Sequence, residues 1–371
     1  MPYYGGLRFR FEGEERHRVV RNLQRLMAQL DRDVPTKDSE RNLLLATWNI
    51  RDFGKSNRRG YGERLPETHY YIAEILSRFD FVAVQEVNEL DEWHEIMSIL
   101  GSDWDFIATD VTDVKIGGNG ERLLYLYDRR KVRFQNIAGE IVLPADMLIT
   151  QTTADAEDPL ARGKQFRRSP FVAAFQSGWF KFDICTVHIY YGDDSGAKLD
   201  ERVQEIDRIA RYLAKRAKDA LKRKRATILL GDFNIVHPDH QTMQALKAQG
   251  FTLPKALDRP SNLDLTKYYD QIAFITKRDV LEYIDQAPAE GSPGNAGIFD
   301  LYESVFRDDD ADFEEFRAAL RASPNGDDKP EEKLRGYYTT WRTYQMSDHK
   351  PMWVRIRSNE ADNYLAGLLA D

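Results

Sequence analysis

Five apolar runs of this chain end in carboxylate, carboxamide or imidazole side chains, and a sixth run contains a carboxylate. The residues concerned are Asn49, Glu86, His188, Asp232, Asn234, Asp270, Asp348 and His349. Side chains alternate along an extended chain, so Asp232 and Asn234 can point the same way. In a layered α/β protein the strand ends gather at one edge of a sheet, where residues distant in sequence can meet.

The oxygen-bearing residues of this set are of the kind that binds a hard divalent cation. Carboxylate and carboxamide oxygens suit Mg²⁺ or Mn²⁺ and do not suit zinc. A cation near developing charge, an activated water and imidazole or amide donors to oxygen together can hydrolyse a phosphoester. Taken singly, each residue has an ordinary structural explanation, such as a turn or a helix-entry acid. Only the whole set, in this order along the chain, favours a catalytic or metal-binding role for these residues.

The elements that must position these residues are strands alternating with helices. The apolar runs predict core strands that include Leu43 to Asn49 and Ile228 to Asp232. Apolar residues recurring at three and four predict helices over 13–32, 67–79, 91–100 and 199–223. Strands are also predicted over 251–257, 267–275, 337–346 and 351–356, the third because it is rich in aromatic residues.

The order of these predicted strands and helices divides the chain into three segments. Residues 1–41 are predicted to be an N-terminal helical extension and residues 42–357 the main domain. An acidic insertion is predicted over 276–336, with a helix near 313–320, and a short helix is predicted within 358–371.

Composition narrows the class of protein. The 371 residues are 42% hydrophobic and 31% charged, which is typical of a globular protein. The net charge of −8 excludes a global basic footprint for nucleic acid. The single cysteine, Cys185, excludes a disulfide framework within the chain. No signal-peptide pattern and no run near the ~18 apolar residues of a membrane span are found, so we expect a soluble cytoplasmic protein.

The ordered motifs resemble the endonuclease/exonuclease/phosphatase superfamily, whose fold is that of deoxyribonuclease I. The resemblance runs from about Leu43 to Ile356 and is carried by six motifs in the family's order. They are Trp48-Asn49, Gln85-Glu86, His188, Gly231-Asp232-Phe233-Asn234, Asp270 and Ser347-Asp348-His349. It implies an α/β four-layer sandwich, with two mostly antiparallel β-sheets packed face to face and helices on both outer faces.

The resemblance also implies a role for each residue. Glu86 is the principal metal ligand, with Asn49 and Asp348 close to the ion. Asp232 orients or deprotonates the attacking water, whereas Asn234 and His188 hold phosphate oxygens. His349 is a second acid/base or phosphate-binding group that Asp270 orients. Asp232 and His349 are both candidates for the base, and the sequence leaves that choice open.

Four further residues are candidates for contacting the substrate. Arg58 and Arg59 lie in a polar loop just after Asn49, and Arg168 lies in an Arg-x-Pro-like element before a strand. Trp341 belongs to a segment, 335–344, in which aromatics and arginines mix. Such aromatics can stack on bases or pack within a protein, and the sequence favours neither.

Two other features favour a structural explanation. The basic run over 211–225 is better explained as a solvated helix than as a nucleic-acid surface. His237 and His240 have no nearby cysteine or third histidine, so a polar loop is preferred to a zinc site.

We therefore expect a Mg²⁺- or Mn²⁺-dependent phosphoester hydrolase, preferably a nuclease-like phosphodiesterase using in-line attack by an activated water. Its expected partner is a phosphoester substrate, with nucleic acid as one candidate. The alternatives are a phosphatase or phosphodiesterase acting on a phosphorylated lipid, inositol or small molecule, and a catalytically inactive binding module. The sequence does not indicate an oligomeric state.

Overall fold

The structure, a computed structural model, describes residues 2–55, 59–112, 118–150, 163–277, 280–281 and 293–369. Its strands are β1 (Asn42–Phe53), β2 (Phe81–Val87), β3 (Trp104–Ala108), β4 (Arg122–Asp128), β5 (Arg133–Glu140), β6 (Ile149–Thr150), β7 (Gly163–Lys164), β8 (Phe171–Ser177), β9 (Phe180–His188), β10 (Ala226–Asp232), β11 (Asp270–Ile275), β12 (Ala296–Ile298) and β13 (Met352–Arg357). Its helices are α1 (Leu7–Arg10), α2 (Gly13–Asp33), α3 (Pro66–Ser77), α4 (Leu90–Leu100), α5 (Gly196–Lys222), α6 (Gln241–Lys247), α7 (Asp310–Ala322), α8 (Glu331–Gln345) and α9 (Ala361–Leu368). None of these helices is long and apolar enough to cross a membrane.

Eleven of these strands form two mixed sheets, each with one parallel pair, and β6 and β7 pair antiparallel in a small separate sheet. One sheet has the order β12-β13-β1-β2-β4-β3 and the other the order β11-β10-β9-β8-β5. The parallel pairs are β1–β2 and β9–β10, and the other neighbours in these two sheets are antiparallel. A parallel pair needs a crossover connection, which α3 supplies in one sheet and α5 in the other. The corresponding strand ends therefore lie at the same end of each sheet.

Three hydrophobic layers hold the sheets and helices together. The layer between the sheets is rich in aromatic residues, where Phe81 packs edge-on against Phe175 and Phe182. A second layer joins the six-stranded sheet to α2, α3, α4, α7 and α8, and a third joins the five-stranded sheet to α5 and α6. This is the predicted four-layer sandwich, and the fold prediction is confirmed.

Two predicted strands are wrong. Residues 337–346 lie in helix α8, because Leu334, Tyr338, Trp341 and Gln345 recur at three and four and bury one helical face. Their aromatic content favoured a strand only while the packing partners were unknown. Residues 251–257 form an isolated bridge at Thr252 and a 3₁₀ turn over Lys255–Leu257, a turn that begins right after Pro254.

The N-terminal segment packs as part of one outer layer. Helix α2 buries Val19, Leu23, Leu26 and Leu30 in the same core as α3. We propose that residues 1–41 extend the main domain in this way. At the far end of the chain, α9 contacts the turn between β8 and β9, where the rings of Tyr364 and Trp179 lie 5.5 Å apart.

Replacing Lys37 by methionine is expected to lower the free energy of unfolding by about 3 kcal/mol, because it removes the cation that pairs with the buried Asp80 and one of the two cations that pair with the buried Asp128. The Nζ atom of Lys37 lies 3.2 Å from Asp128 and 3.4 Å from Asp80, and both acids are buried. Urea denaturation followed by circular dichroism measures the change. Lys333→Met is the matched control, since Lys333 is exposed and has no ion pair among the described residues. Equal midpoints for the two variants would contradict the prediction.

Candidate active site

The pairing of the strands brings three of the predicted residues side by side. In the five-stranded sheet, Asp232 pairs with His188 on one side and with Asp270 on the other. In the facing sheet, Asn49 pairs with Gln85, the neighbour of Glu86. The pairing of β1 with β2 shifts just after Asn49, where Arg51 and Asp52 have φ angles of 44° and 47°. This irregularity interrupts the pairing within β1, which resumes at Phe53, and the side chain of Asn49 faces the other sheet, where it contacts Asp232.

Two histidine–carboxylate pairs flank the carboxylate of Asp232. His349 bonds through Nδ1 to Asp270 at 2.8 Å, and its Nε2 lies 3.6 Å from Asp232 Oδ2. His188 is hydrogen-bonded through Nδ1 to Glu121, and its Nε2 also lies 3.6 Å from Asp232 Oδ2. Both imidazoles are buried to the same small exposure, 7%. Each ring is therefore held at Nδ1 and presents Nε2 to one central oxygen.

Each histidine is influenced by burial and by charge. Burial disfavours the cationic form of His349, but Asp270, Asp232 and Asp348 outweigh it and raise the pKa well above its usual value. Burial and Arg168 lower the pKa of His188, yet Glu121 and Asp232 raise it further, and the net shift is upward. The arrangement therefore favours positively charged imidazoles beside the Asp232 carboxylate.

The turn after β10 orients the side chains of Asp232 and Asn234. The backbone N–H of Asn234 donates to Asp232 Oδ1 at 2.9 Å, which leaves Oδ2 to face the histidines. Asn234 has a φ angle of 52° and donates its side-chain Nδ2 to the carbonyl of Ile189 at 2.7 Å. Gly231 permits this turn, because its φ is +127° and a Cβ there would lie 2.2 Å from the carbonyl oxygen of Val187.

Gly231→Ala is expected to destabilise the protein by more than about 3 kcal/mol, because the added Cβ must push β10 away from β9 as well as strain the backbone. Gly250→Ala is the matched control: Gly250 has a φ of +87°, but a Cβ there meets nothing within 4 Å. It is expected to cost about 1 kcal/mol, from backbone strain alone. Thermal denaturation of both variants measures the difference, and equal losses would contradict the prediction.

Two of the predicted metal ligands, Asn49 and Glu86, contact each other at one side of this centre. Asn49 Nδ2 donates to Glu86 at 2.8 Å and to Asp232 at 3.0 Å, and the backbone N–H of Asp52 donates to Glu86 at 2.8 Å. Burial raises the pKa of Glu86, His188 opposes that shift, and the nearby acids, Asp348 among them, add to it. Asp348 itself lies 3.1 Å from Arg51 Nη1.

The donor set fits a divalent cation. Crowded carboxylates repel one another, and a cation between them relieves both this repulsion and the cost of burying Glu86. Glu86, Glu121 and His188 also form a group whose possible ligand atoms all lie within 4.8 Å of one another. The residues present can therefore hold a metal ion beside Asp232.

Glu121 is a site residue that the sequence did not reveal. It precedes β4, is 1% exposed, and bonds to His188 while lying 2.7 Å from Arg168 Nε. Its one signal in the sequence is an acid directly before a core strand, whereas the predicted site residues mostly end theirs. Because β4 runs antiparallel to β2, the beginning of β4 lies beside the end of β2. Ser261 was also missed; its hydroxyl donates to Asp270 at 2.6 Å.

The four predicted substrate residues have different outcomes. Arg58 lies outside the described residues, and Arg59 is exposed with its carbonyl bonded by Asn325 at 2.8 Å. Arg168 faces the Glu121–His188 pair, and its Nη1 atom is buried without a hydrogen-bond partner in the described part of the chain. The prediction for Trp341 is wrong: it is 1% exposed and packs on Phe306 and Phe316 in the outer hydrophobic layer.

The site and the fold together agree with one family of hydrolases. A family model described as Endonuclease/Exonuclease/phosphatase family matches residues 46–356. The chain belongs to this family. A curated deoxyribonuclease of Thioalkalivibrio sp. (strain K90mix) is 29% identical over 213 residues, which cover 56% of this chain and 50% of that protein. The chain thus spans about half the length of that relative.

Several solved structures are similar at low identity. A mannosyl-6-phosphatase of Bacteroides thetaiotaomicron VPI-5482 is 17% identical with a TM-score of 0.47, covering 85% of this chain and 99% of that one. D. rerio TDP2 complexed with a single-strand DNA product is 14% identical with a TM-score of 0.47, covering 85% and 98%. The 3′ phosphatase NExo of Neisseria, bound to a product DNA hairpin, is 14% identical with a TM-score of 0.45, covering 84% and 98%.

Proposed function

We propose that this chain is a divalent-metal-dependent phosphoester hydrolase that cleaves phosphodiesters by in-line attack of a water molecule. The observation that carries the proposal is the arrangement of Asp232 between two imidazoles, each with Nε2 at 3.6 Å. The second carboxylate on each ring, Asp270 or Glu121, fixes its orientation. Family membership supports phosphoester hydrolysis, and the deoxyribonuclease relative supports a nuclease-like substrate.

We assign each residue a separate role in the reaction. Asp232 orients the water through Oδ2 and accepts its proton, because its other oxygen is held by the Asn234 backbone. His188 and Asn234 hold the phosphate oxygens that gain charge as the water attacks. His349 donates a proton to the leaving oxygen, a role favoured by the carboxylates that raise its pKa.

Asn49, Glu86 and Asp348 would hold the cation, which we propose to be Mg²⁺ or Mn²⁺ because its ligands are oxygens. Bound there, it would neutralise charge on the phosphate. Arg168 lies beside His188 with a buried, unsatisfied guanidinium nitrogen and is the best placed of the substrate candidates. Arg58 and Arg59 remain proposals for contacts further along the substrate.

The cleft beside these residues suits an extended substrate. It has a volume of about 350 Å³, and Arg51, Asn262, Tyr269, Thr340 and Asp348 are among the residues that line it. A polar, open cleft of this kind accepts a chain passing through it more readily than it encloses a small phosphorylated molecule. We also propose a cytoplasmic, reducing setting, since the one cysteine, Cys185, is buried and unpaired.

The deciding experiment compares a generic diester, bis-p-nitrophenyl phosphate, with the monoester p-nitrophenyl phosphate in Mn²⁺ and in Mg²⁺. We expect the diester to be hydrolysed faster, and EDTA to abolish the activity. Preference for the monoester would favour the phosphatase alternative. No hydrolysis of either ester, or of DNA, RNA and phosphoinositides, would favour an inactive binding module.

Glu86→Gln is expected to weaken Mn²⁺ binding by at least about tenfold and to lower diester hydrolysis by about 10²-fold or more, because a ligand charge is lost without a change of shape. Isothermal titration calorimetry measures metal binding directly and separates it from turnover. The matched control is Glu332→Gln, since Glu332 is exposed and has no ion pair among the described residues. Wild-type affinity for Mn²⁺ in Glu86→Gln would exclude Glu86 as a ligand.

A further inference from the structure

A basic groove lies on the outer face of the five-stranded sheet, away from the candidate active site. Its volume is about 420 Å³. Four cationic side chains line it, Lys181, Arg216, Arg223 and Arg225, and they come from separate elements: β9, α5, and the turn between α5 and β10. A basic helix that is merely solvated would not need cations from neighbouring elements to converge on one concavity.

The charge of the groove is largely uncompensated. Asp183 is the one acid among the described residues that line it, and it lies 2.8 Å from Arg225. Among the described residues, no hydrogen bond or ion pair engages the side chains of Lys181 and Arg223. In the described part of the chain, the one hydrogen bond of the Arg216 side chain is to the hydroxyl of Tyr212, a neutral group, at 3.1 Å.

The surroundings of the groove extend this positive surface. Residues 211–225 contain eight arginines and lysines and one acid, a net charge of +7 in a chain whose total is −8. The exposed Lys215, Lys218 and Lys222 belong to this segment of α5. Such separation of charge creates a local attraction for polyanions that the net charge of the protein hides.

The groove does not belong to the catalytic cleft. Arg225 immediately precedes β10, whereas Asp232 is the last residue of that strand. At about 3.3 Å per residue, the two residues are separated by roughly 20 Å along the sheet. A ligand in the groove therefore need not touch the residues proposed for hydrolysis.

We propose that this groove binds the phosphodiester backbone of a nucleic acid. Arginine and lysine side chains that converge on one concavity can contact successive phosphates of one strand. An anionic membrane is flat and would favour cations on a convex surface with exposed apolar side chains, whereas Ile137 is the one strongly exposed apolar residue among the described residues that line the groove. The binding does not require that the chain hydrolyses the nucleic acid it holds.

The test is binding of a fluorescein-labelled single strand of about 20 nucleotides in EDTA, followed by fluorescence anisotropy from about 50 to 200 mM salt. The variant carries Lys181→Glu, Arg216→Glu and Arg223→Glu. We expect it to bind at least about tenfold more weakly, with a salt slope lower by about 2, since about three phosphate contacts are lost. Hydrolysis of bis-p-nitrophenyl phosphate should be unchanged, because the groove lies far from the candidate active site.

A control with the same change of net charge separates a local site from general repulsion. It carries Arg8→Glu, Lys247→Glu and Lys333→Glu, all exposed and outside the groove. Wild-type affinity in this control, with weak binding in the groove variant, supports the proposal. Equal affinities in the two variants would overturn it. Groove-dependent binding to phosphatidylserine vesicles without binding to the oligonucleotide would also overturn it, in favour of a membrane surface.

Discussion

Replacing Asp232 by asparagine is expected to lower kcat on a phosphodiester by about 10³- to 10⁴-fold, with little change in KM. The substitution keeps the shape of the side chain and can keep the hydrogen bond from the backbone N–H of Asn234. It removes the charge on the oxygen that lies 3.6 Å from both His188 and His349. A water molecule can still be bound there, but its proton has no carboxylate to accept it.

A control variant and a threshold of residual activity make this prediction testable. Asp239→Asn is the matched control, because the side chain of Asp239 is 92% exposed and lies in the loop that follows the same strand. Its kcat should equal that of the wild type. If Asp232→Asn kept more than about a tenth of the activity, a residue other than Asp232 would have to be the base.

His349→Ala is expected to lower kcat by about 10²- to 10⁴-fold, because the imidazole that we propose to protonate the leaving oxygen is lost. Asp270→Asn should lower it through the same ring, since Asp270 is fully buried and contacts His349 at 2.8 Å. A carboxamide in that place no longer fixes the orientation and proton of the imidazole. We therefore propose that Asp270 acts as a positioning residue.

The double variant, Asp270→Asn with His349→Ala, tests this dependence. Its kcat should be no lower than that of His349→Ala alone, because Asp270 has nothing left to position. Ser261→Ala gives a graded comparison, as it removes one of the hydrogen bonds to Asp270 and leaves the carboxylate in place. Losses in kcat that multiply in the double variant would show that Asp270 acts independently of His349. A change confined to the melting temperature would show a structural role only.

The site residues that the sequence predicted are those that a local pattern marks. Asn49, Glu86, Asp232 and His349 each follow an apolar run, so local pattern was enough to mark them as strand-end residues. The structure brings them together, with Asn49 bonded to Glu86 and Asp232, and with His349 3.6 Å from Asp232.

Other residues depend on contacts that no local pattern contains. Glu121 meets His188 across 67 positions of sequence, through the packing of one sheet on the other. From the sequence, Trp341 could either stack on a base of a substrate or pack within the protein, because aromatic residues do both. The burial of helix α8 shows that it packs within the protein.

The basic run over 211–225 illustrates the same division. By itself it is the charged end of a helix, and the sequence favoured that explanation. Its functional interpretation changes because Lys181 of β9 lines the same groove as Arg216, Arg223 and Arg225. Strand pairing sets that neighbour, since Ala226 pairs with Phe182 and so places Arg225 beside Lys181.

The sequence by itself determined the core strands that carry the site, the order of the motifs and the types of side chain at the strand ends. These are local properties, governed by periodicity and by what may follow a buried strand. The tertiary structure alone decided which side chains pair with the two histidines, which aromatics are buried, and where cations converge. These depend on the register between strands and on the packing of layers, which bring together residues that no local pattern relates.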